Sequence, residues 1–128
     1  MTTVLAQPKG ELVLRTLAMP ADTNFNGDIF GGWLVSQMDL GAATLAQQRS
    51  RSRIATVSIQ NLSFIRPVQV GNVVCVYADL IKVGNTSMTI HLETWTHSDH
   101  FLNHEKVAEG TFVFVALDEQ GRPQPIDR

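Results

Sequence analysis

Apolar positions along the chain follow two different periods, which divide it into one helix and a series of strands. From about Gly31 to Gln48 they recur at helical spacing, and this predicts a single long helix. Alternating or continuous apolar runs predict strands at about 11–19, 54–65, 73–83, 88–93 and 107–117. The parity of the second run changes near Gln60-Asn61, which indicates a β-bulge.

The predicted helix is apolar on both of its faces. One face carries Leu34, Met38, Ala42, Leu45 and Ala46, and the opposite face carries Val35 and Ala43. A helix that is apolar nearly all round is buried. The pattern therefore predicts an α+β fold with a curved antiparallel sheet of about five strands wrapped around one long central helix. Because one helix cannot cover such a sheet, we expect a second copy to cover the rest.

Pro, Gly, Asp and Asn separate these elements. Pro8 and Gly10 lie in a flexible N-terminal leader, residues 1–10, and residues 11–128 form a single domain. Residues 20–30 have loop composition. A polar loop is predicted at 97–105.

Composition excludes several classes of protein. Of the 128 residues 44% are hydrophobic and 17% are charged, and the net charge is −2. The charge pattern therefore does not indicate a basic surface that binds nucleic acid. The single cysteine, Cys75, lies in an apolar run and is expected in the core. Neither a signal peptide nor an apolar run of about 18 residues is found. We expect a cytoplasmic protein without stable membrane association.

The one basic cluster follows the predicted helix and consists of Arg49, Arg51 and Arg53. Cations suit the negative end of a helix, so a solvated helix end is the first interpretation. A clamp for phosphate groups is the alternative.

Asp39 is the only charged residue between Asp28 and Arg49. A carboxylate on an apolar helix is costly unless something satisfies it. Its neighbours one helical turn away are Val35, Ser36, Ala42 and Ala43, and none is a cation. From the pattern alone, a catalytic base or nucleophile and a carboxylate tied to protein donors remain equally good interpretations.

The helix begins at Gly31-Gly32. The first N–H groups of a helix have no partner within it, and glycine lets a substrate approach the backbone closely. We therefore predict that Gly31 or Gly32 donates to a developing oxyanion, although tight packing at this junction is an alternative.

Several segments together resemble the YciA-type acyl-CoA thioesterases, a family of the hot-dog fold. The resemblance covers nearly the whole chain from Leu14 onwards. It is carried by residues 22–34, by Ser36-Gln37-Met38-Asp39, and downstream by 64–67, 70–71, 82–84 and 111–116. The chain stops near Arg128, where some relatives carry a further tail.

The resemblance implies hydrolysis of acyl-CoA to a free acid and CoA, with Asp39 as general base or nucleophile and Asn24 orienting the carbonyl or the water. It implies a homodimer with sites at the subunit boundary, assembled as a hexamer (a trimer of dimers), with no cofactor beyond the CoA of the substrate and no metal. For Asn24 an Asx-turn in a polar loop is the alternative role.

CoA needs cations or N–H groups for its phosphates. Position suggests Arg66 and Lys82, at strand ends, and the turn that contains Gly84, Asn85, Thr86 and Ser87. Each cation is also an ordinary surface residue.

Two other functions remain as alternatives: a non-catalytic acyl-CoA-binding module, and a hot-dog dehydratase or hydratase. All four histidines lie after residue 90, far from the loop and helix, which disfavours dehydration. The spacing of His97, His100 and His104 on a predicted polar loop does not favour a metal site.

Overall fold

One helix lies against one five-stranded antiparallel sheet in the computed structural model, which describes residues 7–128. This confirms the predicted α+β class. The sheet order is β1-β3-β4-β5-β2, so β1 and β2 form the two edges. The elements are β1 (Glu11–Leu17), a 3₁₀ turn (Pro20–Asp22), α1 (Gly31–Ser50), β2 (Arg53–Phe64), β3 (Val73–Val83), β4 (Ser87–Ser98) and β5 (Asn103–Leu117).

The polar loop predicted at 97–105 is wrong. Strand β4 continues to Ser98 and β5 begins at Asn103, and the ladder pairs His97 with His104. Ladder hydrogen bonds come from the backbone, so polar side chains do not prevent a strand. Only residues 99–102 remain as a turn, and three of them have positive φ angles: Asp99, His100 and Phe101. Strand β1 is also two residues shorter than predicted, and the helix runs on to Ser50.

The bulge predicted near Gln60-Asn61 is confirmed. The register between β2 and β5 shifts between Gln60 and Ser63, and Asn61 has φ 53°. Asparagine tolerates this left-handed conformation better than most residues. The bulge divides β2 into an early half, near Thr56, and a late half that ends at Phe64.

The core forms where one face of the helix meets the inward residues of the sheet. Gly41 lies at the closest approach, since a Cβ built there would come within 2.8 Å of Val13 Cγ2. Only glycine allows this spacing between helix and β1. The principal buried side chains are Met38, Ala42, Ala46, Ile90, Leu92, Phe112 and Phe114.

The opposite face of the helix is not covered within one protomer. Ser36, Leu40 and Thr44 are exposed, Leu40 with 55% of its surface accessible. Burial all round is therefore wrong for the single chain. Edge strand β2, beside the helix, also exposes Val57 and Ile59. The protomer thus leaves the apolar side chains of Leu40, Val57 and Ile59 exposed.

Both ends of the described chain are held by specific contacts. The Lys9 N–H donates to Glu93 Oε1 at 3.3 Å, so the last part of the predicted leader is held against the sheet. Residues 1–6 lie outside the described part of the chain. At the other end Ile126 is buried, and Arg128 Nη2 donates to the Ser50 carbonyl at 3.1 Å. Arg128 thereby satisfies a free carbonyl at the helix C-terminus.

Cys75 is fully buried on β3, as predicted, and accepts a hydrogen bond from Arg15 Nε. Within residues 7–128 no helix is long and apolar enough to cross a bilayer.

Candidate active site

Asp39 meets a hydroxyl group from the edge of the sheet. Thr56 Oγ1, on β2, donates to Asp39 Oδ1 at 2.6 Å. A hydrogen bond this short to a carboxylate fixes the plane and rotamer of the acid. Thr56 could not be singled out from the sequence, because threonine is common in strands.

The rest of the Asp39 carboxylate is available. No ion pair to Asp39 and no hydrogen bond to its Oδ2 is found among residues 7–128. The side chain is half-buried on the helix, next to exposed Leu40. One oxygen is thus oriented by the protein, and the other is free to act on a ligand.

The loop before the helix is organised by Asn24. Its Oδ1 accepts from the N–H groups of Asn26 and Asp28, at 2.9 and 3.2 Å. Its backbone N–H donates to the Asp28 carbonyl at 2.7 Å. The Asx-turn considered as an alternative is therefore present. Because Oδ1 is occupied, the side chain has only its amide N–H groups to offer to a ligand.

The helix N-terminus presents the two glycine N–H groups. Phe30 is the N-cap residue, and its carbonyl accepts from Trp33 and Leu34, at 3.0 and 3.4 Å. Among the residues that the structure describes, neither the Gly31 nor the Gly32 N–H donates to a protein acceptor. A Cβ at Gly31 would lie 3.4 Å from the Phe64 ring, which closes one side of this position.

A cleft of about 250 Å³ brings three of the predicted site residues together: Asn24, Gly31 and Arg66. Their positions come from three elements: the loop, the helix start and the segment after β2. Its apolar lining includes Phe64 and Val68. The cleft thus combines an apolar wall with free N–H donors, one cation and one acid, Asp28, and this mixture suits a polar head on an apolar chain.

Asp39 does not line this cleft. It lies eight residues beyond Gly31, about 12 Å along the helix axis at 1.5 Å per residue. A single thioester carbonyl cannot be within hydrogen-bond distance of both. Within one protomer the acid and the predicted oxyanion donors therefore form two separate candidate half-sites.

The predicted phosphate contacts lie at opposite ends of the sheet. Arg66 Nη1 donates to the Lys106 carbonyl, near the helix N-terminus. Lys82 pairs with Thr89 near the start of β4, at the opposite end of the sheet. In the adjoining turn the Gly84 N–H already donates to the Ser87 carbonyl, and Asn85 accepts from Ile126 N–H. Among the described residues that line the cleft, Asn85, Thr86 and Ser87 are not found, and their role stays a prediction.

One group of possible metal ligands was not anticipated: His91, Glu93 and Glu109, whose ligand atoms lie within 4.8 Å of one another. They face away from the helix, because Ile90 and Leu92 on the same strand face the core. Trp95 Nε1 donates to Glu93, and Lys106 Nζ lies 3.4 Å from Glu109. These protein partners account for the two carboxylates, and the group has no connection with Asp39.

Comparison with known proteins identifies the family of this chain. A family model described as the thioesterase superfamily matches residues 26–101. The chain belongs to the thioesterase superfamily. The acyl-CoA thioester hydrolase YciA of Salmonella typhimurium is 52% identical to this thioesterase chain over 98% of it and 97% of the relative.

Solved thioesterases share the fold of this chain. A hexameric broad-specificity acyl-coenzyme A thioesterase, determined as an Asp-to-Ala mutant, matches with TM-score 0.90 and 47% identity, covering 94% of this chain and 88% of that one. An acyl-CoA hydrolase from Staphylococcus aureus, solved as an Asn-to-Ala mutant with coenzyme A, matches with TM-score 0.82 and 26% identity, covering 88% and 67%. A Thr-to-Ala mutant of the same hydrolase matches with TM-score 0.80. The predicted hot-dog thioesterase fold is confirmed.

Proposed function

We propose that this protein hydrolyses acyl-CoA thioesters to a free carboxylic acid and CoA, as a homo-oligomer whose active sites lie between two chains. The observation that carries the proposal is the Asp39 carboxylate, which Thr56 orients at 2.6 Å on a face that the protomer leaves uncovered. Its relatives of about 50% identity are acyl-CoA thioester hydrolases.

Two copies resolve the separation of the half-sites. Strand β2 is an edge, with Thr56 in its early half and Phe64, beside Gly31, at its end. In the proposed dimer two such edges pair antiparallel about a twofold axis, in the register that brings Thr56 of one chain opposite Phe64 of the other. Asp39 of one protomer then faces the partner's Gly31, and pairing also covers exposed Leu40 and Val57. The hexameric relative supports further assembly as a trimer of dimers.

The chemistry follows from this arrangement. The N–H of Gly31 or Gly32, with the helix dipole, stabilises negative charge on the thioester oxygen as the carbonyl carbon is attacked. The amide N–H of Asn24 supplies a further donor. The Asp39 carboxylate accepts a proton from the attacking water, the C–S bond breaks, and the CoA sulfur leaves as a thiolate that takes up a proton. Direct attack by Asp39, through a mixed anhydride, is the second route. In a single turnover in ¹⁸O-water, label in Asp39 would identify the anhydride route with water attack at the Asp39 carbonyl, since general-base catalysis places the label in the product acid alone.

The S. aureus variants support the roles of Asn24 and Thr56. The asparagine and threonine replaced in that hydrolase have the same separation along its chain as Asn24 and Thr56 have here. The hydrogen bond from Thr56 to Asp39 gives such a threonine a role, which is to orient the acid.

Thiol release from a panel of acyl-CoAs, short to long, tests the proposal. We expect turnover by the wild type, and about a 1,000-fold loss for Asp39→Asn with an unchanged circular dichroism spectrum, because the amide cannot accept the proton. Tight binding without turnover would instead support the acyl-CoA-binding module, and enoyl formation from hydroxyacyl-CoA would support a dehydratase. Location in the cytoplasm belongs to the proposal, and fractionation of the source cells tests it.

A further inference from the structure

The loop that carries Asn24 is held mainly by bonds within itself. An isolated antiparallel bridge between Thr23 and Ile29 closes its base. Above this bridge, the side chain and backbone of Asn24 bond only to other residues of the loop. The three residues at the tip, 25–27, are exposed, and the Phe25 side chain is fully so. Packing therefore does not fix the tip of this loop.

One side chain connects the loop with the rest of the protein. Gln69, in the segment between β2 and β3, donates from Nε2 to Asp28 Oδ1 at 2.8 Å. In the described part of the chain, no other hydrogen bond and no ion pair joins residues 24–28 to residues outside the loop. The next residue, Ile29, is fixed by its N–H, which donates to the Val68 carbonyl at 2.8 Å. The backbone thus anchors the base of the loop, and Gln69 alone anchors the part beyond it.

Gln69 itself belongs to a rigid turn, residues 69–72. The Asn72 N–H donates to the Gln69 carbonyl at 3.1 Å, and the Gln69 N–H donates to Asn72 Oδ1 at 3.0 Å. Gly71 has φ 91°, which glycine adopts without strain. Buried Ala18, just after β1, accepts from the Gly71 N–H and donates to the Asn72 carbonyl. The backbone of Gln69 is therefore a fixed point from which its side chain reaches the loop.

We propose that Gln69 is a positioning residue, which acts through Asp28 to hold the Asn24 amide where it can donate to the thioester oxygen. The inference rests on the proposed function and extends it to a residue that does not line the cleft. Asp28 is the link, because its carboxylate accepts from Gln69 while its backbone N–H and carbonyl both bond to Asn24. A donor to a developing oxyanion is effective only if it is held within about 0.5 Å. All three residues belong to one chain, so the proposal does not depend on how two protomers pair.

Thiol release by Gln69 variants tests this role. Gln69→Glu keeps the shape of the side chain but replaces the donor by an acceptor, and Gln69→Leu removes the donor without adding charge. We expect each to lower kcat about tenfold, the lower end for a hydrogen bond to a charged group because this one is exposed. KM and the melting temperature change little, since Asn24 donates in the transition state. Gln120→Leu, at an exposed glutamine in the turn after β5, is the control and keeps the wild-type kcat. Normal kcat in Gln69→Leu would overturn the proposal.

Two double variants test whether Gln69 acts through Asp28 and Asn24. In Asp28→Asn/Gln69→Glu the amide and the carboxylate exchange places, so the hydrogen bond forms again and kcat returns to that of Asp28→Asn alone. In an Asn24→Ala background, Gln69→Leu causes no further loss, because the amide through which it acts is already absent. Failure of the exchanged pair to recover, or a further tenfold loss in the Asn24→Ala background, would overturn the proposed connection.

Amide hydrogen exchange measured by NMR tests the anchoring without turnover. The N–H groups of Asn26 and Asp28, which donate to Asn24 Oδ1, should exchange about tenfold faster in Gln69→Leu than in the wild type. Gln120→Leu leaves both rates unchanged. Equal rates in Gln69→Leu and the wild type would overturn the anchoring, whatever the activity. Faster exchange in Gln69→Leu, with a wild type that hydrolyses no acyl-CoA, would support the anchoring and refute the proposed function.

Discussion

Removing the hydroxyl group of Thr56 tests whether the orientation of Asp39 matters for catalysis. Thr56→Val keeps the shape and β-branching of the side chain, and deletes only the donor that lies 2.6 Å from Asp39 Oδ1. A hydrogen bond to a charged group contributes about 1.5–3 kcal/mol. If this bond holds the carboxylate in the transition state, kcat falls roughly 10- to 150-fold, at 1.36 kcal/mol for each factor of ten.

Thiol release under saturating acyl-CoA measures this effect. KM changes little, because the interaction is with the acid and not with the ground-state substrate. Thr56→Ser keeps the donor and should retain most of the activity. Thr111→Val, the same chemical change on the neighbouring strand opposite Gln60, controls for the loss of a strand hydroxyl. Normal kcat in Thr56→Val, with a normal melting temperature, would refute the argument that this hydrogen bond positions the base.

Three further outcomes are expected. A co-refolded mixture of Asn24→Ala and Asp39→Asn chains regains about a quarter of wild-type activity, since half of randomly paired dimers hold one intact site; a mixture as inactive as its parents would place each site within one chain. Burial lowers the pKa of His97 below 6.5, so the unfolded chain binds the proton more readily, and the free energy of unfolding falls as pH drops through the folded-state pKa. Denaturant titration at pH 7.5 and 5.5 should show this loss of unfolding free energy, and His97→Asn should lose less. An equal loss in the two proteins would contradict the prediction. Gly41→Ala lowers stability by about 1–3 kcal/mol in thermal unfolding, because the added Cβ meets Val13 at 2.8 Å. The control, Gly32→Ala, meets only the movable ring of Phe30, and an equal loss there would show that close packing is not the cause.

The fold could be predicted because its signals are local. Helical spacing from Gly31 onwards and the parity change at Gln60-Asn61 both come from side chains that must face the core. The turn at residues 99–102 could not be found in this way. Its flanking strands are polar, and backbone pairing, which leaves no trace in side-chain polarity, decides where they end.

The site could be predicted only in part, for a related reason. Asp39 was noticeable as the single charge on an apolar helix, and Asn24 as part of a resemblance. Thr56 reaches Asp39 from a strand 17 positions later in the chain, and only the fold brings the two together. The burial expected for the helix failed for the protomer because sequence periodicity does not distinguish a core of the same chain from a surface that a second chain covers.

The open edge of β2 has a consequence for the life of the newly made polypeptide. In a single protomer the edge of β2 leaves backbone N–H and C=O groups without strand partners, beside exposed apolar side chains such as Leu40 and Val57. An exposed edge strand can pair with any other free strand, so specific assembly competes with aggregation as soon as the chain has folded. With active sites between two chains, as proposed, dilution should abolish turnover before it unfolds the domain, and the turnover rate per chain should rise with protein concentration.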